Sequence, residues 1–257
     1  ADDVRNFQKG MTVRASSAEA GTGMRAGSTT VASIQWNAGT VTLTDAASIA
    51  GFADADFIFR DGDEALCLTG LGSPYTTTSK LGWLPNTEPT SGDAHFGVDR
   101  SVNGVPYAGW RHTDTTVDLK EALVATSARA KILDAQTSAI FVNPITWGNL
   151  VIDAASKLVR DEGPGDATIG YTGMKAALAT GLCKVYADPF CPPKRVYGLD
   201  MATWGLKYVG SGLLHIVNED GLSWRAAAGA DSFELRLRSW PQMWCNAPGK
   251  NFVILLA

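Results

Sequence analysis

The run Phe252-Val-Ile-Leu-Leu256 contains no polar residue. A strand with one wet face alternates polar and apolar positions, so an unbroken apolar run of strand length belongs in a sheet covered on both faces. Such a strand is what a sheet threaded into a mixed α+β body requires, with a layer on each of its faces. Ala139-Ile-Phe-Val142 is a second buried-strand candidate, and Asn143-Pro144 follows it directly. Asn is a good helix cap, and Pro suits the first helical position because the N–H it lacks has no partner there. The spacing of Trp147, Leu150, Val151, Ala154 and Leu158 then predicts a helix with one apolar stripe, ending near Arg160 before Gly163-Pro164-Gly165.

Upstream, residues 1–60 read as β-structure. Met11-Thr-Val13, Thr30-Val-Ala-Ser-Ile34, Thr40-Val-Thr-Leu43 and Asp56-Phe-Ile-Phe59 are short β-branched or aromatic runs separated by Gly, Ala and Asp. Asn37-Ala-Gly39 supplies a turn between two of them, which predicts a hairpin from about Val31 to Leu43. From Gly62 to Thr113 the chain is rich in Gly, Pro, Ser, Thr and Asn and reads as irregular loop or linker, with Ser73-Pro-Tyr-Thr-Thr-Thr-Ser79 its least core-like part. A helix is expected from about Val117 to Lys131, capped by Thr115 or Thr116, with Leu119, Leu123 and Ala130 on related faces. Strand candidates follow around residues 176–179, 184–186, 195–199, 206–209 and 213–217. Phe233, Leu235 and Leu237 alternate with Glu234, Arg236 and Arg238, which predicts a half-exposed strand burying the apolar set.

Charge and composition exclude several classes. With 22 basic and 26 acidic residues the net charge is −4, so no global field draws the chain to nucleic acid or anionic lipid. No apolar run reaches the roughly 20 residues that span a bilayer. Cys67, Cys183, Cys191 and Cys245 lack the paired spacing of a zinc site and read as buried free thiols.

No catalytic, cofactor-binding or metal constellation emerges. Gly21-Thr-Gly23 with Gly27 resembles a phosphate loop superficially, but its predicted flanks are strands, without a helix N-terminus to hold an anion. Asp54, Asp56, Asp61 and Asp63 lack the regular ligand spacing of a calcium loop and read as a solvated acidic turn. His95, His112 and His215 are isolated from one another, and no Gly-x-Ser-x-Gly elbow occurs. Asp161-Glu162 and Glu219-Asp220 read as solvent-facing charge. Of eight Trp residues, Trp36, Trp83, Trp110, Trp204, Trp240 and Trp244 lie outside the clearest helices; core filling is the default, and sugar platforms or subunit interfaces are the other uses of such residues.

Arg60-Asp-Gly-Asp63 with Leu68-Thr-Gly-Leu71, Phe96-Gly-Val-Asp-Arg100, and Ile140-Phe-Val-Asn-Pro-Ile-Thr-Trp147 occur in an order that resembles tailed-phage major capsid proteins of the Hong Kong 97-like fold. The resemblance covers the chain from about Phe57 onward. It implies a β-rich insertion at 1–60, a linker and loop region at 61–115, a peripheral domain from 116–164 and 230–257, and an axial domain at 165–229. It further implies a self-assembling subunit that forms pentamers and hexamers of an icosahedral shell, encloses double-stranded DNA without sequence specificity, and is built in the cytoplasm of a bacterial host into a virion. Scaffold or decoration proteins are its further expected partners; no cofactor, membrane or enzymatic activity is expected. Family members carry an arm, an extended loop and a spine helix upstream, so the chain is expected to be the C-terminal part of a longer subunit and a poor shell builder by itself. Aromatic patches around Tyr186, Phe190, Tyr197 and Trp204 are expected either to face neighbours around an axis or to fill core. The other readings are a β-rich decoration or carbohydrate-binding module, with an aromatic-lined groove among residues 1–110, and a hydrolase of unknown mechanism.

Overall fold

A computed structural model describes residues 2–18, 21, 23–63, 68–72, 82–155, 174–210, 212–218, 221, 223–226 and 232–256. Contacts divide the chain into two units, Ala1–Cys67 and Leu68–Ala257.

The first unit is built on a four-stranded antiparallel sheet, in the order β3-β2-β1-β4. Its strands are β1 (Thr12–Ser16), β2 (Thr29–Gln35), β3 (Thr40–Leu43) and β4 (Phe57–Arg60). All four stand within a residue or three of the sequence expectation, because each is a β-branched or aromatic run with turn residues on both sides. The expected hairpin is β2–β3, with Val31 opposite Leu43, Gln35 opposite Thr40 and a bulge between Val31 and Ser33. Gly39 closes its turn at φ +64°, a conformation costly for any residue with a Cβ. Val4, Val13, Ala15, Val31 and Ile49 are its buried apolar residues among those described.

The second unit contains β5 (Ala94–His95), β6 (Val98–Asp99), α1 (Gly104–Ala108), β7 (Trp110–His112), α2 (Leu119–Lys131), β8 (Ala139–Val142) and α3 (Pro144–Ala155). It continues through β9 (Met174–Leu178), β10 (Gly181–Ala187), β11 (Arg195–Leu199), β12 (Trp204–Tyr208), β13 (His215–Ile216) and β14 (Arg225–Ala226). Last come β15 (Phe233–Glu234), β16 (Leu237–Arg238), β17 (Pro241–Cys245) and β18 (Phe252–Leu255). A mixed six-stranded sheet, ordered β7-β18-β11-β8-β10-β9, is its centre.

β18 is buried at all four positions between β7 and β11, as its apolar sequence requires. Alternation then builds two cores. Ile140, Val142, Val185, Val196, Phe252 and Ile254 point to one face, which Leu119, Ala122, Leu123 and Ala130 of α2 and Leu150 of α3 cover. Tyr197, Leu199, Val253 and Leu255 point to the other, under Leu84 and Cys191. Gly198 stands opposite Phe252 in the β11–β18 register, and a Cβ there would meet the phenyl ring at 2.0 Å. The missing side chain is thus the space that Phe252 occupies.

Asn143 caps α3 as expected: its Oδ1 accepts from the Ile145 N–H at 3.0 Å, and its buried Nδ2 donates to the Cys191 carbonyl at 3.1 Å. Leu158, Arg160 and the Gly163-Pro164-Gly165 break lie outside the described residues. α2 departs from expectation at its start. Neither Thr115 nor Thr116 caps it; the Asp114 carboxylate captures the Thr116 N–H and hydroxyl, and Asp118 takes the cap position without a side-chain cap bond.

Three further departures follow, the first two arising from pairing between residues distant in sequence. The region 62–113 is not uniformly irregular, because Trp110–His112 forms an edge strand parallel to β18, with Phe252 opposite Trp110. Three residues are too few to show a period, and the partner lies about 140 residues away. Residues 174–199, expected in a separate axial domain, supply β9, β10 and β11 to the sheet that also holds β8 and β18, with β10 parallel to β8. Finally, Phe233, Leu235 and Leu237 do not share a buried face: they are 73%, 39% and 56% exposed. The strands that carry Phe233 and Leu237 are two-residue pieces, each paired with one strand among the described residues, and none of Phe233, Leu235 and Leu237 belongs to either buried cluster.

Candidate interaction surface

Between β11 and β18, neighbours in the sheet, the chain makes one long antiparallel excursion. β12 pairs with β17, β13 with β16 and β14 with β15, in nested order from base to tip. Backbone bonds extend the first two pairings: Val209 N–H donates to the Trp240 carbonyl at 3.3 Å and Val217 N–H to that of Arg236 at 2.9 Å. The result is a two-stranded arm. Its shorter leg, Phe233 to Cys245, spans 12 residue steps, so at the usual rise the arm is roughly 40 Å long at most. The other leg, Trp204 to Ala226, is ten residues longer, and that surplus interrupts the ladder between its paired segments.

Asn251 fastens the base of the arm. Its side chain is fully buried, and its Oδ1 accepts from the Asp200 N–H at 2.9 Å and the Trp204 indole N–H at 2.8 Å. Its Nδ2 donates to Thr203 Oγ1 at 3.1 Å and the Ala247 carbonyl at 3.0 Å, with Cys245 Sγ at 3.7 Å. These partners are the entry and exit of the arm. A primary amide is suited to the position because it offers two acceptor lone pairs and two donors at once.

Beyond the base, apolar side chains face solvent. On β12 and β17, Leu206 lies opposite Met243 and Tyr208 opposite Pro241; Leu206 and Tyr208 are each 47% exposed. Ile216 and Leu237 form an exposed cross-strand pair further out. Val209, Leu213, Leu214, Trp224 and Trp240 are exposed as well. Charges lie among them: Arg236 pairs with Glu234, Lys207 sits 5.3 Å over Trp244, and Arg238 5.5 Å over Trp240. Exposed apolar residues gathered along one element are a candidate interaction surface.

The residues singled out in the sequence are not brought together. His95 lies on β5 against Trp83 and Phe96, each with ring centroids 4.7 Å away, and burial with nearby Arg100 pulls its pKa down to about 4. His112 is on β7, and His215 is on the arm beside Trp240. Gly21, Gly23 and Gly27 fall between β1 and β2; Gly27, at φ +93°, lies so close to Ser48 that a Cβ would meet its carbonyl. Within the acidic set Asp56 is held by Arg25 through two bonds of 3.0 and 3.1 Å, and this pairing lowers its pKa. No group of three His, Cys, Asp or Glu able to hold a metal ion occurs among the described residues. Cys183, Cys191 and Cys245 are buried free thiols, while Cys67, Asp161-Glu162 and Glu219-Asp220 lie outside the described residues. Of the four expected patch aromatics, Tyr197 is core and Trp204 half-buried, whereas Tyr186 and Phe190 are exposed.

The arm carries no sequence signal of its own, because an alternating strand pattern looks the same whether its apolar side meets its own core or another molecule. No helix among the described residues is long and apolar enough to cross a membrane. No family model matches the chain, and no curated protein matches it.

Proposed function

We propose that this chain is a major capsid protein: a structural subunit that associates with its own copies into an icosahedral phage head around double-stranded DNA. One observation carries the reading, the arm from Trp204 to Cys245 with its exposed apolar residues. A two-stranded ribbon by itself is marginally stable in water, so an arm of this length needs a surface to lie on. Contacts of arm to body are heterologous, and such contacts close into rings when the rotation allows. The near-neutral charge supports a shell that encloses nucleic acid without reading its sequence. A decoration or carbohydrate-binding module is the second reading, favoured by Trp36, 63% exposed in the β2–β3 turn.

The test is sedimentation and electron microscopy of the chain beside an Ile216→Asp/Leu237→Asp variant. Weak rings or small oligomers whose share grows with concentration, not closed particles, are expected from the parent chain. The variant should remain monomeric with an unchanged circular dichroism spectrum. A parent that is monomeric throughout, or a variant that assembles equally well, would refute the proposal.

A further inference from the structure

The second face of the six-stranded sheet is covered unevenly. Over β11 and β18 it is sealed by the cluster around Leu84. Over β10 and β9 it is open: Leu182 is 67% and Tyr186 44% exposed, and Lys184, Lys175 and Ala177 are exposed with them. Period-two alternation places these on the side opposite Cys183 and Val185, which are buried. Tyr186 stacks on Phe141 at 5.6 Å, and Phe190, just beyond β10, is 73% exposed.

In the β9–β10 register Lys184 stands directly opposite Lys175. Like charges across an antiparallel pair repel. Neither lysine forms an ion pair among the described residues. The open face is therefore apolar at its ends and doubly cationic in the middle, which fits a surface that is both apolar and acidic.

The chain itself contains such a surface. Its first 67 residues hold nine acidic and five basic residues, whereas the remainder holds 17 of each, so the whole net charge of −4 resides in the first unit. There Arg25 neutralises Asp56, whereas Asp54, before β4, and Asp61, just after it and 3.9 Å from Arg14, are both exposed, and Phe52 nearby is 38% exposed.

We infer that the open β9–β10 face docks the acidic first unit of a second copy, with Lys175 and Lys184 meeting the carboxylates around β4. The inference rests on the self-assembly reading and names two surfaces that meet. Duplex DNA is the poorer occupant, since it would set Leu182 and Phe190 against phosphates on a unit whose charges sum to zero.

Charge reversal in two full-length variants tests this, one Lys175→Glu/Lys184→Glu and the other Asp54→Lys/Asp61→Lys/Asp63→Lys. Sedimentation at low salt should show each variant associating at least about tenfold more weakly than the parent, equivalent to 1.4 kcal/mol. An equimolar mixture should regain association, because each variant then offers the face that the other lacks, and added salt should weaken the parent and the mixture alike. Association unchanged by the lysine reversal, or not regained on mixing, overturns the inference while leaving the arm-based reading to its own variant. A parent chain that binds duplex DNA through these lysines without self-associating overturns it in favour of nucleic acid.

Discussion

Replacing Asn251 by Ala should loosen both the sheet and the arm. In the native fold the Asn251 oxygen is the acceptor for the Asp200 amide and the Trp204 indole. Ala leaves both donors without it, and Asp200 is buried to 6% exposure, where water does not substitute freely. An orphaned buried donor costs about 1–3 kcal/mol, and the half-buried indole recovers part of its share from solvent, so a loss of about 2–5 kcal/mol is expected. Asn251→Asp separates the oxygen from the nitrogen. It keeps the acceptor but turns an oxygen toward the Ala247 carbonyl and toward Thr203 Oγ1, whose own proton is committed to the Asp200 carbonyl at 2.7 Å. Asp is therefore expected to be no better than Ala near neutral pH, and to improve as acid protonates it into a donor. Urea unfolding followed by circular dichroism gives the magnitude, and hydrogen exchange at β12 and β17 reports the arm. A loss below about 1 kcal/mol for Ala, or an Asp variant as stable as the parent, would refute the reasoning.

Other consequences are as direct. Gly198→Ala drives a methyl group into the Phe252 ring and should cost about 1–3 kcal/mol or more in the same melt; a neutral result would show that the ring has room to move. Leu235→Ala, at a position 39% exposed, should cost less than about 1 kcal/mol, and a larger loss would restore a buried face there. His95 contributes a pH dependence of defined sign. Its pKa of about 4 in the fold lies below the ordinary 6.5, so between these values the unfolded chain binds the extra proton; stability from this group is complete above about pH 6.5 and falls until about pH 4. Solvent reaching the ring limits the loss to about 1–3 kcal/mol, and His95→Gln should flatten that part of the stability curve relative to the parent.

What could be read from the sequence was local. The β2–β3 hairpin, the buried strands β8 and β18 and the Asn143 cap each announce themselves within a dozen residues through branching, apolar continuity or a turn signal. β7 does not, since its three residues acquire strand character only from β18. Asn251 resembles any turn asparagine beside Ala247-Pro248-Gly249, and its role depends on Asp200 and Trp204, some fifty residues earlier. The alternation at 233–238 was legible but its meaning was not: period two specifies a strand with two unlike sides and says nothing about what covers the apolar one.

The path of the chain makes the arm separable from the sheet. It leaves after β11 and returns before β18, and these strands are hydrogen-bonded neighbours, with Gly198 opposite Phe252. The ends of the excursion are held together whatever lies between them. Closure entropy grows only slowly with loop length, each doubling adding about 0.6 kcal/mol, so this junction tolerates shortening, extension or a grafted segment far better than any strand around it. Reach and surface chemistry can consequently drift while the Asn251 clasp and the two cores stay under constraint. Display of a foreign peptide is best attempted in the segment between β14 and β15, and a short turn joining Thr203 to Asn246, which already share a hydrogen bond of 3.0 Å, should yield an armless domain that still folds.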